Sequence, residues 1–292
     1  MYSGIDIRQR KNLDKFDRIM LHKIEGIINS LKKSHEKFKD PDFGPTASDE
    51  LGVKSLYSSS IPNPVASFKY PPPDTLAWAR PCYSDFNTFQ ELNGTVDDDE
   101  SLSRSKSESI QKSFCKNGML FDIDGFTSGD ITQGQLGDRW FLGALAIFSG
   151  ANKVGNNNID QLNILKRTFF MGDNFKEYGI YTARFFKNGN LMYVIIDDKL
   201  PVKRKDGQLV FGSCKNVNEL WVALLEKAYA KLFGCYKSLI GGYVHQALGD
   251  LTGLCPTHIV MKRGYVGFTK EYNEDDIWNI LTKYREWKSL MG

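Results

Sequence analysis

The sequence predicts an α+β fold, and three stretches carry that expectation. Trp140–Phe148 is an apolar run with Gly137 before it and Gly150 after it, the pattern of a buried helix. Residues 218–233 place apolar side chains at 220, 221, 224, 225, 228, 229, 232 and 233, a helical period. Between them, Gly179–Lys187 and Leu191–Leu200 are β-branched and aromatic runs separated by Asn188-Gly189-Asn190, a strong hairpin signal.

Composition narrows the function classes. Residues 1–292 carry a net charge of +3, which does not argue for a nucleic-acid partner. The aromatics do not interleave with a basic patch, and no G-x-x-x-x-G-K phosphate loop is present. The longest apolar run, Trp140–Phe148, is far short of the ~20 residues a membrane helix needs, so no membrane partner is expected. The first residues are polar and charged, unlike a signal peptide. Cys82, Cys115, Cys214, Cys235 and Cys255 are odd in number and lack metal-like spacing, which points to reduced thiols and a cytoplasmic location.

In chain order, residues 1–39 read as a basic amphipathic helix. Leu13, Phe16, Ile19, Met20, Ile24, Ile27, Ile28 and Leu31 recur at three- and four-residue steps. Ten Lys/Arg against five Asp/Glu leave this segment at +5, suited to an acidic protein surface. It packs on its own domain or docks on a partner; both readings stay open here. Residues 40–118 are proline-punctuated and include an acidic run, Asp97–Glu100, followed by alternating serines, read as a mobile surface insertion. Within 119–292, Leu162–Phe170 reads as a short helix and turn, Val210-Phe211 as an extension of the small sheet, and Asp275–Lys288 as a last helix.

The stretch most telling for function is Asp130–Gly150, which contains Gln133-Gly134-Gln135-Leu136-Gly137-Asp138-Arg139-Trp140. A glycine-rich turn opens a buried helix there, with Asp138 as N-cap and Gly150 as stop. Free N–H groups and the helix dipole at such a start stabilise a thiolate or an oxyanion. The text resembles the cysteine-nucleophile motif of calpains, the papain-like calcium-dependent proteases. So do V-I-I-D-D-K-L-P, N-E-L-W-V-A-L-L-E-K-A-Y-A-K, Ile240–Gly242 and Asp250–Gly253 further on. Asp40-Pro41-Asp42-Phe43 and Trp78-Ala79-Arg80-Pro81 resemble the calpain lead-in that wraps the core. The resemblance covers about 40–292 and matches the first half of the calpain core. It implies the helical first lobe of a papain-like fold with one small antiparallel sheet.

One departure bears directly on activity. Arg139 stands where the family has its cysteine, while Gln133 matches the family's oxyanion-hole glutamine. A guanidinium stays protonated and offers no nucleophilic lone pair at neutral pH. His22, His35, His245 and His258 do not sit in the family's histidine motif, and Cys115 is too distant for a shift of register. The resemblance also implies a calcium site, with carbonyls matched to Ile123 and Gly125 and carboxylates to Asp130 and Glu219. Hard oxygen donors from a glycine-containing loop and two acids suit that ion. The family's bridging arginine before that acid is matched here by Ser128.

The expectation is a catalytically inactive calpain-like pseudoprotease serving as a structural or protein-binding module. Inactive calpain-like proteins of protists are associated with the cytoskeleton or flagellum, so tubulin or axonemal proteins and a cytoskeletal or ciliary location are the partners and place implied. Two rivals stand beside it. One is a fragment of a calcium-dependent cysteine protease, which Arg139 opposes on chemistry. The other is a calcium-responsive regulator of an active calpain.

Overall fold

The computed structural model describes residues 14–44, 76–80, 118–121, 127–150, 159–204, 207–256 and 274–286. In order these form α1 (Lys15–Ser34), β1 (Leu76–Ala79), β2 (Ile131–Thr132), α2 (Arg139–Gly150), α3 (Ile159–Thr168), β3 (Ile180–Lys187), β4 (Asn190–Asp197), β5 (Leu200–Lys203), β6 (Ser213–Cys214), α4 (Trp221–Leu232), α5 (Val244–Thr252) and α6 (Glu274–Glu286). The fold is α+β. The acidic and serine-rich stretch 93–113 lies outside the described residues.

The hairpin is the framework of the sheet region. Asn188 and Gly189 both take positive φ, 51° and 77°, which closes a two-residue turn between Lys187 and Asn190. Such a turn matches the twist of the strands and is cheap for Asn-Gly. The sequence suggested one small sheet running on through Leu200 and Val210. Instead β4 ends at Asp197, and β5 pairs antiparallel with β1, while β2 pairs with β6. Among the described residues three separate two-stranded pairings replace the single sheet, and the 209–210 segment joins β5 only through the Val202–Leu209 bridge and the Val210 N–H, which donates to the Pro201 carbonyl at 3.1 Å. The physical reason lies at Asp197 and Asp198, where the chain turns to bury two carboxylates among cations rather than continue the ladder.

The core forms where α2, α4 and the hairpin meet. α4 buries ten consecutive residues, Trp221–Ala230. Tyr229 stacks on Phe141 of α2 at 4.3 Å between centroids and tilts against Phe185 of β3 at 5.3 Å. Its hydroxyl donates to Asp250 of α5 at 2.8 Å, and Lys187 of β3 donates to the same carboxylate oxygen at 2.8 Å. Asp250 therefore ties three elements, which gives a physical role to the Asp250–Gly253 motif.

α1 starts at Asp14, whose carboxylate caps the Asp17 N–H at 2.8 Å. It packs Leu21, Ile24 and Ile28 onto Ile180 and Ile195 of the hairpin and onto Phe170 and Phe175 of the segment leading into it. Asp17 is buried and accepts from the Tyr193 hydroxyl at 2.5 Å. The helix thus packs on its own domain. Phe16 and Ile19 stay exposed on its outer side.

An ionic cluster fastens the lead-in segments beneath the hairpin. Lys227 binds the Asp197 carboxylate, Arg80 binds Asp198, and Lys231 binds Asp40 at 2.8 Å. Arg80 also donates to the Phe38 carbonyl at 2.5 Å, and the Asp40 N–H donates to Asp197 at 2.8 Å. Burying so many charges is tolerable only because each is paired with an opposite charge.

Candidate functional site

The turn from Gln133 to Trp140 is held from both sides. Before it, the 3₁₀ turn Ser128–Asp130 leads into β2, which pairs with β6. Gly134 lies so close to Phe211 that an added Cβ would sit 2.2 Å from its backbone, so only glycine fits there. The Gln135 N–H donates to the Val210 carbonyl at 2.9 Å, and the Gly241 N–H donates to the Gly137 carbonyl at 3.1 Å. The Trp140 indole donates to the Leu239 carbonyl at 2.8 Å. Backbone bonds from two distant segments therefore fix this turn at the start of α2.

Gln133 and Arg139 meet directly. The Arg139 Nε donates to Gln133 Oε1 at 2.9 Å, and Gln133 Nε2 donates to the Leu136 carbonyl at 3.1 Å. Both ends of the amide are engaged within the turn. Arg139 is exposed, and its terminal nitrogens bond no described residue. Arginine's planar fork thus faces outward as a donor of charge-assisted hydrogen bonds. Trp140 is half-buried against the core, whereas Trp221, Leu224 and Tyr229 are buried within it.

Asp138 does less, and more, than a cap. Its carbonyl accepts the first helical bond, from Phe141 at 2.8 Å. Its carboxyl, however, points inward and is fully buried, with neither oxygen meeting a donor among the described residues. It faces Glu226 of α4, also buried, whose two oxygens accept from the Gly212 N–H at 3.0 and 2.9 Å. Burial pushes Asp138 up to about 6 and holds Glu226 well above the usual carboxylate range, with their mutual repulsion adding to the rise in Glu226.

The candidate calcium acids act on one thiol. Asp130 Oδ2 accepts from the Thr127 N–H at 2.5 Å and from its hydroxyl at 2.9 Å. Glu219 is buried at the bridge between Met119 and Glu219. Both carboxylates act on the Cys214 thiol, whose pKa is raised first by burial and then by these two charges. Ile123 and Gly125 lie outside the described residues, as does His258. Ser128 is exposed at the start of the 3₁₀ turn. Among the described residues no group of three or more His, Cys, Asp or Glu could hold a metal ion. His245 is half-buried and stacks on Tyr243 at 5.3 Å.

The Asp138–Glu226 and Lys227–Asp197 contacts were missed in sequence. The available signal was Glu226-Lys227 inside a stretch apolar on every side, which is where a charge must be buried and therefore paired.

Comparison with known proteins agrees with this architecture. A family model described as calpain family cysteine protease matches residues 88–292. A calpain-type cysteine protease of Arabidopsis thaliana is 34% identical over 173 residues, 59% of this chain and 7% of that protein. The calpain-1 catalytic subunit of Rattus norvegicus is 38% identical over 178 residues, 59% of this chain and 22% of that protein. Calpain-5 of Caenorhabditis elegans is 39% identical over 135 residues, 45% of this chain and 19% of that protein. The chain thus spans less than a quarter of the length of each of these relatives. No helix among the described residues is long and apolar enough to cross a membrane. With the family model covering well over half of its residues, this chain belongs to the calpain family of cysteine proteases.

Proposed function

We propose that this chain is a pseudoprotease, a calpain-type domain that binds protein without cleaving it. One observation carries the reading. Arg139 occupies the position matched to the family's nucleophile and ties up the carbonyl of Gln133, the residue matched to the oxyanion hole. A protonated guanidinium cannot attack a peptide carbonyl. The exposed fork of Arg139 suits a carboxylate or a backbone carbonyl of a protein partner. The +5 charge of residues 1–39 suits an acidic surface such as tubulin, in a cytoskeletal or ciliary assembly.

Incubating the chain with an unstructured protein, with calcium or with a chelator, is expected to yield no cleavage above buffer. Hydrolysis that disappears on Arg139→Ala would overturn the proposal. Arg139→Cys alone is expected to restore nothing, because no histidine of this sequence stands in the family's histidine motif. Cosedimentation with polymerised tubulin tests the partner, with binding expected to weaken as salt rises.

A second reading, a calcium-responsive regulator, is favoured by Asp130 and Glu219, the acids matched to the family's calcium ligands, both being near enough to act on the Cys214 thiol. Carboxylate oxygens are the hard donors calcium takes, and the other ligands the family match implies, the Ile123 and Gly125 carbonyls, lie outside the described residues. Calcium there would neutralise the two acids and fasten the Ser128–Asp130 turn to the Glu219 segment that leads into α4. Calorimetric titration with calcium is expected to show binding that Asp130→Asn with Glu219→Gln abolishes. Equal binding by the double variant would remove the site.

A further inference from the structure

We propose that Asp138 and Glu226 hold a single proton between them at neutral pH and act as a pH-sensitive fastener for the turn that carries Gln133 and Arg139. This goes beyond the reading of the chain as a pseudoprotease and does not depend on it.

The geometry demands a proton. Asp138 is 0% exposed and Glu226 is 1% exposed. As two ionised carboxylates they could only accept, and neither oxygen of Asp138 has another donor among the described residues. Two buried like charges in contact, with no cation among the described residues beside them, would repel strongly. One shared proton converts the same contact into a charge-assisted hydrogen bond from the Glu226 carboxyl to the Asp138 carboxylate. Glu226 keeps its bonds from the Gly212 N–H throughout.

Among the described residues nothing else neutralises the pair. The groups that face it are the Gly212 N–H from the 210–212 segment and Tyr236 from the 3₁₀ turn after α4. Tyr236 is itself buried and held neutral, its pKa raised first by burial and then by these two acids and Asp197. Among the described residues no lysine, arginine or histidine acts on either carboxyl.

The pair joins three pieces of the site. Asp138 belongs to the start of α2, next to Arg139. Glu226 belongs to α4. Gly212 follows Phe211, against which Gly134 is pressed. Losing the proton therefore loosens the turn at its base.

The direction with pH follows from linkage. In the opened turn both acids are solvated and lose their protons near pH 4, as ordinary carboxyls do. In the closed turn they keep protons to higher pH, Asp138 to about 6, and Glu226 well above the usual carboxylate range. The stabilisation is fully present in acid, begins to fall as pH rises past the ordinary carboxyl range, and is lost once Glu226 deprotonates. Above about pH 6 the opened population rises about tenfold per pH unit, one proton being released on opening, until Glu226 loses its own.

The test uses the whole chain. Infrared difference spectra are expected to show the carbonyl stretch of a protonated carboxylic acid at pH 7. Hydrogen exchange over residues 133–139, corrected for the intrinsic effect of pH, is expected to accelerate from pH 6 to 8. Glu226→Gln keeps a donor toward Asp138 and an acceptor toward Gly212 without a titrating proton. It is expected to remove the infrared band and flatten the exchange profile. A neutral-pH spectrum without that band overturns the proposal, as does an unchanged pH profile in Glu226→Gln. If Glu226→Gln does not fold, the infrared band and the exchange profile of the unaltered chain still decide.

Discussion

Lys227→Ala is expected to cost about 3–5 kcal/mol of folding stability, because it breaks a buried pair and leaves the other charge behind. The Lys227 ammonium is 0% exposed. It binds the Asp197 carboxylate and donates to the carbonyls of Asp197 at 3.0 Å and Lys199 at 2.7 Å. It also lies 5.2 Å from the centroid of the Trp78 ring, so it touches the β1 segment. Burial lowers its pKa while Asp197 opposes that shift. Removing the ammonium leaves a carboxylate and two carbonyls without their cation. Urea unfolding measures the loss. The double variant Lys227→Met with Asp197→Asn is expected to lose much less than the sum of its single changes, since it removes both charges together. A loss within about 0.5 kcal/mol for Lys227→Ala, typical of surface sites, would show that the cluster does not hold the lead-in to the core.

Gly134→Ala is the second large effect. Its methyl would meet the Phe211 carbonyl carbon and oxygen at 2.2 Å, and both belong to the backbone. A flexible side chain could swing away; a backbone paired through Val210 to Gln135 cannot do so without opening that pairing. Overpacking of this kind costs about 1–3 kcal/mol. The turn is also expected to shift, so the Arg139–Gln133 bond should weaken along with the fold. Thermal unfolding reads the first effect, and hydrogen exchange across 133–139 reads the second. An alanine variant as stable as the parent would mean that the 211–212 segment is free to move.

Much of the architecture was legible in the chain. The Asn188-Gly189 turn was clear because only residues tolerant of positive φ sit cheaply there. α2 and α4 were clear because a helix buried all round leaves few polar residues in its sequence. Helix ends moved by a few residues, as fraying ends do. α6 illustrates a weaker kind of legibility. Its Ile277, Ile280, Leu281 and Tyr284 keep a helical period, yet all four are only half-buried and Trp278 is exposed.

The sequence by itself determined α1, α2, α3, α4 and α6, the hairpin, the family resemblance and the identity of the residue at position 139; α5 was not read from it. These are local properties, set by periodicity, turn chemistry and the order of motifs. Tertiary structure decided the rest. It broke the expected sheet into three pairings, because the chain after β4 turns to bury Asp197 and Asp198 among Lys227 and Arg80. It turned the Asp138 carboxyl from a helix cap into half of a buried acid pair, because the partner comes from α4, far along the chain. It joined Arg139 to Gln133 across a turn that two remote segments hold in place. A charge inside an apolar run shows that a partner must exist. Which partner it meets depends on how distant elements pack, and periodicity does not encode that.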